Sequence, residues 1–152
     1  MKTMKKNFAK AEMFIRKDIA EVFQAMVDPA ITTKIWFTKS SGKLEKGKTI
    51  EWEWEMYNHK VNVEVLEIVE NQTLIFNWRN HDSPSLVEWK FKKITGGTFV
   101  SVTNTFEHAT TEALIAEVRD STEGFTLVLA NLKAYLEFNI LLNLVGDRFP
   151  EM

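Results

Sequence analysis

Glu51-Trp52-Glu53-Trp54-Glu55-Met56 alternates carboxylates with large apolar side chains over three full periods. A period of two belongs to a β-strand, so one face carries Trp52, Trp54 and Met56 while the other carries the acids. Downstream the same alternation returns at intervals of about ten residues, the rhythm of an antiparallel meander. It places Ile50, then Val61, Val63 and Val65, then Leu74, Phe76 and Trp78 on the apolar side. Val87, Trp89 and Phe91 follow, and then Val100, Val102, Asn104 and Phe106. Turn-tolerant residues separate the runs at Asn58, Glu70-Asn71, His81-Asp82-Ser83-Pro84 and Gly96-Gly97. Strands are therefore expected near residues 48–57, 59–69, 73–80, 85–94 and 98–107, and no connection is long enough for a parallel crossover. The Val65-Leu66 step breaks parity and predicts a bulge that carries Leu66 and Ile68 onto the next apolar face.

Working outward, Phe8 to Arg16 reads as a first strand. Asp18-x-x-Glu21 predicts the N-cap of a short helix with Ile19, Val22, Phe23 and Met26 on its apolar side. Asp28-Pro29 stops that helix and starts another, with Asp28 as N-cap and Ile31, Ile35 and Trp36 facing inward. Near the C-terminus, Asp120-x-x-Glu123 predicts the cap of a long helix running to about Leu142, preceded by a shorter piece from Thr111 to Val118. Its stripe of Phe125, Val128, Leu129, Leu132, Tyr135 and Leu136 is flanked by Leu127, Phe138, Leu141 and Leu142, so cover from more than one direction is expected.

The chain's 152 residues suffice for one domain with a sizeable core. A single domain over 1–152 is expected, with 1–7 a flexible N-terminus and 143–152 a C-terminal extension. Hydrophobic residues make up 45% and charged residues 26%, a globular composition. Nineteen basic against 21 acidic residues leave a net charge of -2, so no global field draws in nucleic acid or an anionic membrane. The absence of cysteine excludes disulfides and thiolate chemistry and fits a cytoplasmic protein. Lys2, Lys5, Lys6 and Lys10 interrupt the N-terminus, so neither a signal peptide nor membrane insertion is expected there.

The order strand, two short helices, meander, long helix resembles the α+β helix-grip fold of the START-like superfamily, which includes the birch-pollen allergen type. Local motifs narrow the resemblance: Asp28-Pro29-Ala30 running to Ile35-Trp36-Phe37, Gly42-Lys43-Leu44-x-x-Gly47, and Gly124-Phe125 leading to Leu129-x-x-Leu132-Lys133-Ala134-Tyr135-Leu136-Glu137. These resemble the domain family named after the activator of the heat-shock-protein-90 ATPase. The resemblance spans residues 8–137, and its most specific piece is the stretch from Leu132 to Glu137. It implies a curved antiparallel sheet of six or seven strands wrapped around the C-terminal helix, with a cavity between them that commonly takes an apolar small molecule. The eukaryotic activator has two domains where this chain has room for one, so chaperone activation is not implied. Beyond Glu137 the chain continues through Phe138-Asn139-Ile140-Leu141-Leu142-Asn143-Leu144-Val145, an apolar extension suited to covering the domain or pairing two copies.

The expected cavity wall comprises Trp36, Trp52, Trp54, Val63, Phe76, Trp78, Trp89, Phe91, Val102, Phe125, Leu129 and Leu132, with Asn104 as the polar group that orients a ligand. Core packing is the simpler explanation of any one of these rings taken alone, and backbone or water partners are the simpler explanation of Asn104. By the alternation no ionisable side chain faces the cavity, which leaves cyclase or isomerase chemistry without its acid or base. His59, His81 and His108 lie at or beside turns without metal-ligand spacing, so no metal or other cofactor is expected. Neither a Gly-x-Ser-x-Gly elbow nor a phosphate loop occurs. Glu51, Glu53, Glu55 and Glu64 form an acidic strip on the outer sheet face, read as solvated. Two classes of function remain: binding of a hydrophobic, aromatic or lipid-like small molecule, and a co-chaperone-like contact with a chaperone ATPase or other protein partner through the outer sheet face or the C-terminal extension. The second includes a weak homodimer through the C-terminal extension.

Overall fold

A computed structural model of the chain describes residues 7–80, 83–107 and 111–151. The expected flexible N-terminus, the His81-Asp82 turn and His108 fall largely or wholly outside the described residues. Seven strands form one antiparallel sheet: β1 (Asn7–Ile15), β2 (Lys39–Ser40), β3 (Thr49–Trp54), β4 (His59–Val69), β5 (Thr73–Asn80), β6 (Ser83–Ile94) and β7 (Gly97–Phe106). Their order is β1-β7-β6-β5-β4-β3-β2, so the first strand closes against the last and the rest form a meander. Helices α1 (Ile19–Val27) and α2 (Pro29–Ile35) follow β1, and α3 (Thr111–Phe138) and α4 (Leu144–Asp147) end the chain. This is the α+β helix-grip arrangement.

The meander follows the alternation. Register pairs Ile50 with Val63, Val63 with Trp78, and Trp89 with Val102, which stacks the inward side chains in rows across the sheet. Trp52, Trp89 and Phe76 are fully buried, as are Leu129 and Leu132 from α3. The buried indole N–H groups of Trp78 and Trp89 have no hydrogen-bond partner among the described residues. Each ring packs in a T-shaped arrangement, Trp78 with Phe76 at 77° and Trp89 with Phe125 at 78°. Gly97 opens β7 where a Cβ would lie 2.2 Å from the Ile15 carbonyl oxygen, so only glycine lets β1 approach there.

Several local expectations are corrected. Met56 is exposed, because the chain leaves the pleat after Trp54 and forms a 3-10 turn over Glu55–Tyr57, ended by Asn58 at φ 49°. A bulge does shift the register between Val65 and Glu67, but Leu66 is its extra residue and stays exposed, while Ile68 returns inward opposite Leu74. Asp18 makes no side-chain capping bond, whereas Asp28 accepts from the Ala30 amide at 2.9 Å and Pro29 begins α2 as expected. The two-residue β2 is too short to show a period.

The largest correction concerns α3, a single helix of 28 residues with Asp120 and Glu123 in its middle. It ends at Phe138 because Asn139 adopts a left-handed conformation, φ 55°, and its amide bonds the Tyr135 carbonyl. Phe138, Ile140, Leu141 and Leu142 are consequently exposed rather than covered. Asn143, φ 57°, then turns the chain into α4. From there the extension folds back on its own domain.

A polar clamp fixes the C-terminal half of α3 to β1. Lys133 donates to the Phe14 carbonyl at 2.7 Å and pairs with Glu137, which also accepts from the Arg16 amide at 3.1 Å. Burial alone would raise the Glu137 pKa. The Lys133 hydrogen bond, the Arg16 amide and the charges of Lys133 and Arg16 outweigh it and hold the carboxyl below its ordinary value. A depressed folded pKa supplies stability that is complete above the unfolded value and lost as pH falls through the folded one. Urea denaturation at a series of pH values should therefore show wild type and Glu137→Gln converging as the solution is acidified below about pH 4, with wild type ahead by about 1–3 kcal/mol near neutrality. A gap that does not change with pH would contradict this account.

Candidate ligand cavity

A cavity of about 440 Å³ lies between the sheet, the N-terminal half of α3 and the returning C-terminal extension. Its aromatic side is organised by Trp36, the C-cap residue of α2, whose amide bonds the Thr32 carbonyl as the chain leaves the helix. The Trp36 ring centroid lies 4.9 Å from Trp52, 5.8 Å from both Trp78 and Trp89, and 5.7 Å from Phe125. One indole thus joins α2 to three strands and to α3.

The cavity brings together Trp36, Trp54, Trp78, Asn104 and Phe125 of the expected wall. Trp52, Val63, Phe76, Trp89, Phe91, Val102, Leu129 and Leu132 are buried but do not line it. They form the solid core behind it, where α1 fills the remaining concavity; Phe23 meets Phe91 edge-on at 5.3 Å. Asn104 sits in a small polar network. Its Nδ2 donates to Ser85 Oγ at 2.9 Å and to the Leu86 carbonyl at 3.1 Å, while its Oδ1 accepts from Ser121 Oγ at 3.1 Å. The buried amide is thereby satisfied and held in one orientation along the cavity wall.

Contrary to the alternation argument, ionisable side chains do line the cavity: Tyr57, His59, Glu117, Asp120 and Arg148. None was accessible to a strand-parity argument on the meander except His59, which shares parity with Val61 but stands exposed at the start of β4. Ser85, Phe106, Ser121, Leu127 and Val128 are further lining residues, of which Phe106, Leu127 and Val128 already showed as apolar positions. Among the described residues no cluster of His, Asp and Glu gathers to hold a metal ion. No helix among them is long and apolar enough to cross a membrane.

The extension closes one side through Val145, Arg148 and Phe149. Tyr57 Oη lies 2.5 Å from the Val145 carbonyl oxygen, and the Leu144 amide donates to Asn131 Oδ1 at 3.3 Å. Buried Asn131 also donates to the Ile35 carbonyl at 2.9 Å, so one side chain ties α2, α3 and the extension. Arg148 Nη2 donates to Asp120 Oδ1 at 2.8 Å, and its Nε stands 3.3 Å from Glu123. Gly124 makes room for this guanidinium: a Cβ there would fall 3.1 Å from Arg148 Nη1. Glycine inside a helix costs about 1 kcal/mol relative to alanine.

The profile of the Activator of Hsp90 ATPase homolog 1-like protein family matches residues 17–137. Val145, Arg148 and Phe149 lie beyond that span. No curated protein matches the chain. Among solved structures, a Staphylococcus saprophyticus protein is 26% identical with a TM-score of 0.78, over 90% of this chain and 96% of that one. The Aha1 dimer from Colwellia psychrerythraea is 17% identical with a TM-score of 0.73, over 87% and 97%. DynU16, a protein in the dynemicin biosynthetic locus, is 17% identical with a TM-score of 0.79, over 88% of this chain. This chain spans 48% of DynU16.

The cap rests on a few polar contacts, and Arg148 supplies the ion pairs. Replacing Arg148 by alanine should cost about 1 kcal/mol locally, since its carboxylate partners are partly solvated. Amide hydrogen exchange across 144–149 should accelerate about fivefold while the Leu129 and Leu132 amides keep their protection. Equal acceleration in both regions would mean that Arg148 supports the whole fold rather than the cap.

Proposed function

We propose, since the chain belongs to the Activator of Hsp90 ATPase homolog 1-like protein family, that its cavity binds an apolar, ring-bearing small molecule between the sheet and α3. The observation that carries this reading is the cavity itself. Its volume of about 440 Å³ falls within the roughly 300–1,000 Å³ usual for small-molecule sites. Its walls combine the rings of Trp36, Trp54, Trp78 and Phe125 with the fixed amide of Asn104, the mixture that gives affinity by burial and orientation by hydrogen bonding. A ligand burying about 300 Å² of apolar surface gains about 7 kcal/mol before the entropy of association is subtracted, so burial alone gives binding no tighter than about millimolar and polar contacts must supply the rest. The place of DynU16 in a biosynthetic locus supports a small molecule over a macromolecule as the occupant.

Titration with flavonoids, sterols, fatty acids and polyketide-like aromatics should give a saturable change in tryptophan fluorescence with one class, because three of the five tryptophans line the cavity. Leu127→Phe adds volume at a half-buried lining position and should weaken that binding about tenfold while the fold is retained. Silence across the panel, or an affinity untouched by Leu127→Phe, would remove the cavity from consideration.

A second reading, contact with a protein partner through the C-terminal extension, is favoured by one observation. Phe138, Ile140, Leu141 and Leu142 are 44–65% exposed on consecutive turns of chain. A second copy of the chain is the simplest partner, and the solved Aha1 of Colwellia psychrerythraea is a dimer. Sedimentation velocity should show a concentration-dependent dimer that Leu141→Glu converts to monomer; a strictly monomeric wild type would dismiss self-association.

A further inference from the structure

Among the described residues, one carboxylate lining the cavity has no cationic partner. Arg148 is the one lining lysine or arginine among the described residues, and its guanidinium is already shared between Asp120, at 2.8 Å, and Glu123, at 3.3 Å. Glu117 lines the same cavity one helical turn before Ser121, half-buried, with no ion pair or hydrogen bond among the described residues. Glu117 and Asp120 both line the cavity, and of the two Asp120 is already engaged by Arg148. His59 stands on the β4 side, 5.8 Å from Trp54, and the Tyr57 hydroxyl is engaged with the Val145 carbonyl.

The rest of the lining is rich in rings. Trp36, Trp54, Trp78 and Phe125 supply quadrupoles that attract a cation lying over a ring face and disfavour an anion there. Aromatic walls and an uncompensated carboxylate therefore select the same ligand charge. A carboxylate ligand would bring like charge to Glu117 and would find Arg148 already engaged by Asp120 and Glu123.

We infer that the cavity prefers a cationic amphiphile: an apolar or aromatic body among Trp36, Trp54, Trp78 and Phe125, with a protonated amine directed to Glu117. This rests on the small-molecule reading above and specifies the charge of the occupant. It also sets this site against fatty-acid anions, which share the apolar body but carry the opposite charge.

Calorimetry with three compounds of one shape, 2-naphthylmethylamine, 2-naphthylmethanol and 2-naphthoate, tests the inference at low salt. The amine should bind about tenfold tighter than the carboxylate, with the alcohol between them. Glu117→Gln, verified as folded by circular dichroism, should shrink that amine preference to about threefold or less. Glu64→Gln, on the outer sheet face, serves as a control for bulk charge and should leave the preference as it is. Equal binding of the three, a carboxylate preference, or an amine preference that survives Glu117→Gln would overturn the inference while leaving the cavity as a binding site. Failure of all three compounds, the neutral alcohol included, would count against the small-molecule reading itself.

Discussion

The indole of Trp36 is where the separate parts of this fold meet. Two short helices have no core of their own, and a seven-stranded sheet has one apolar face that must be covered. Trp36 connects them because α2 stops immediately before it. The Asp28 cap and Pro29 fix where α2 begins, so they also fix where its last turn releases the chain. Rings from β3, β5, β6 and α3 then close around the indole. On one side of it the packing is solid; on the other it stops short and leaves the cavity. Core and cavity wall share this residue, so a substitution there would disturb both at once.

The polar features fall into two groups with different duties. Asn104 with Ser85 and Ser121, and Asn131 with the Ile35 carbonyl and the Leu144 amide, are buried and satisfied, and they orient elements relative to one another. Glu117, Asp120 and Arg148 lie where the cavity approaches solvent, and their arrangement sets its electrostatic character. An alanine at either asparagine would strand buried partners and damage the fold. Changes at the acidic end should instead act on what the cavity accepts.

Strand content was readable because its signal is local. A period of two survives in each run of the meander, and even the bulge at Val65 announces itself as a parity error. Met56 and Leu66 were misplaced where the chain leaves the regular pleat, since parity carries no meaning there. The Asp120-x-x-Glu123 spacing has the look of a helix start, yet three residues along a helix also puts both carboxylates on one face, where Arg148 reaches them from 25 or more positions downstream. That long-range use leaves no local trace. The same holds for the cap: nothing in Val145, Arg148 and Phe149 taken in sequence tells that they return to the N-terminal half of α3. The rings of the wall were legible as inward-facing, but which of them border empty space depends on how far α1 fills the concavity, a three-dimensional quantity.

The two left-handed asparagines, Asn139 and Asn143, bracket a five-residue tether between α3 and α4. So short a connection holds α4 near its seat at an effective concentration of about millimolar or above, whatever the strength of its contacts. A segment that would bind negligibly as a free peptide can thus stay seated most of the time and still release quickly. Closure is supplied by chain connectivity, and the contacts that seat α4 are left free to be weak.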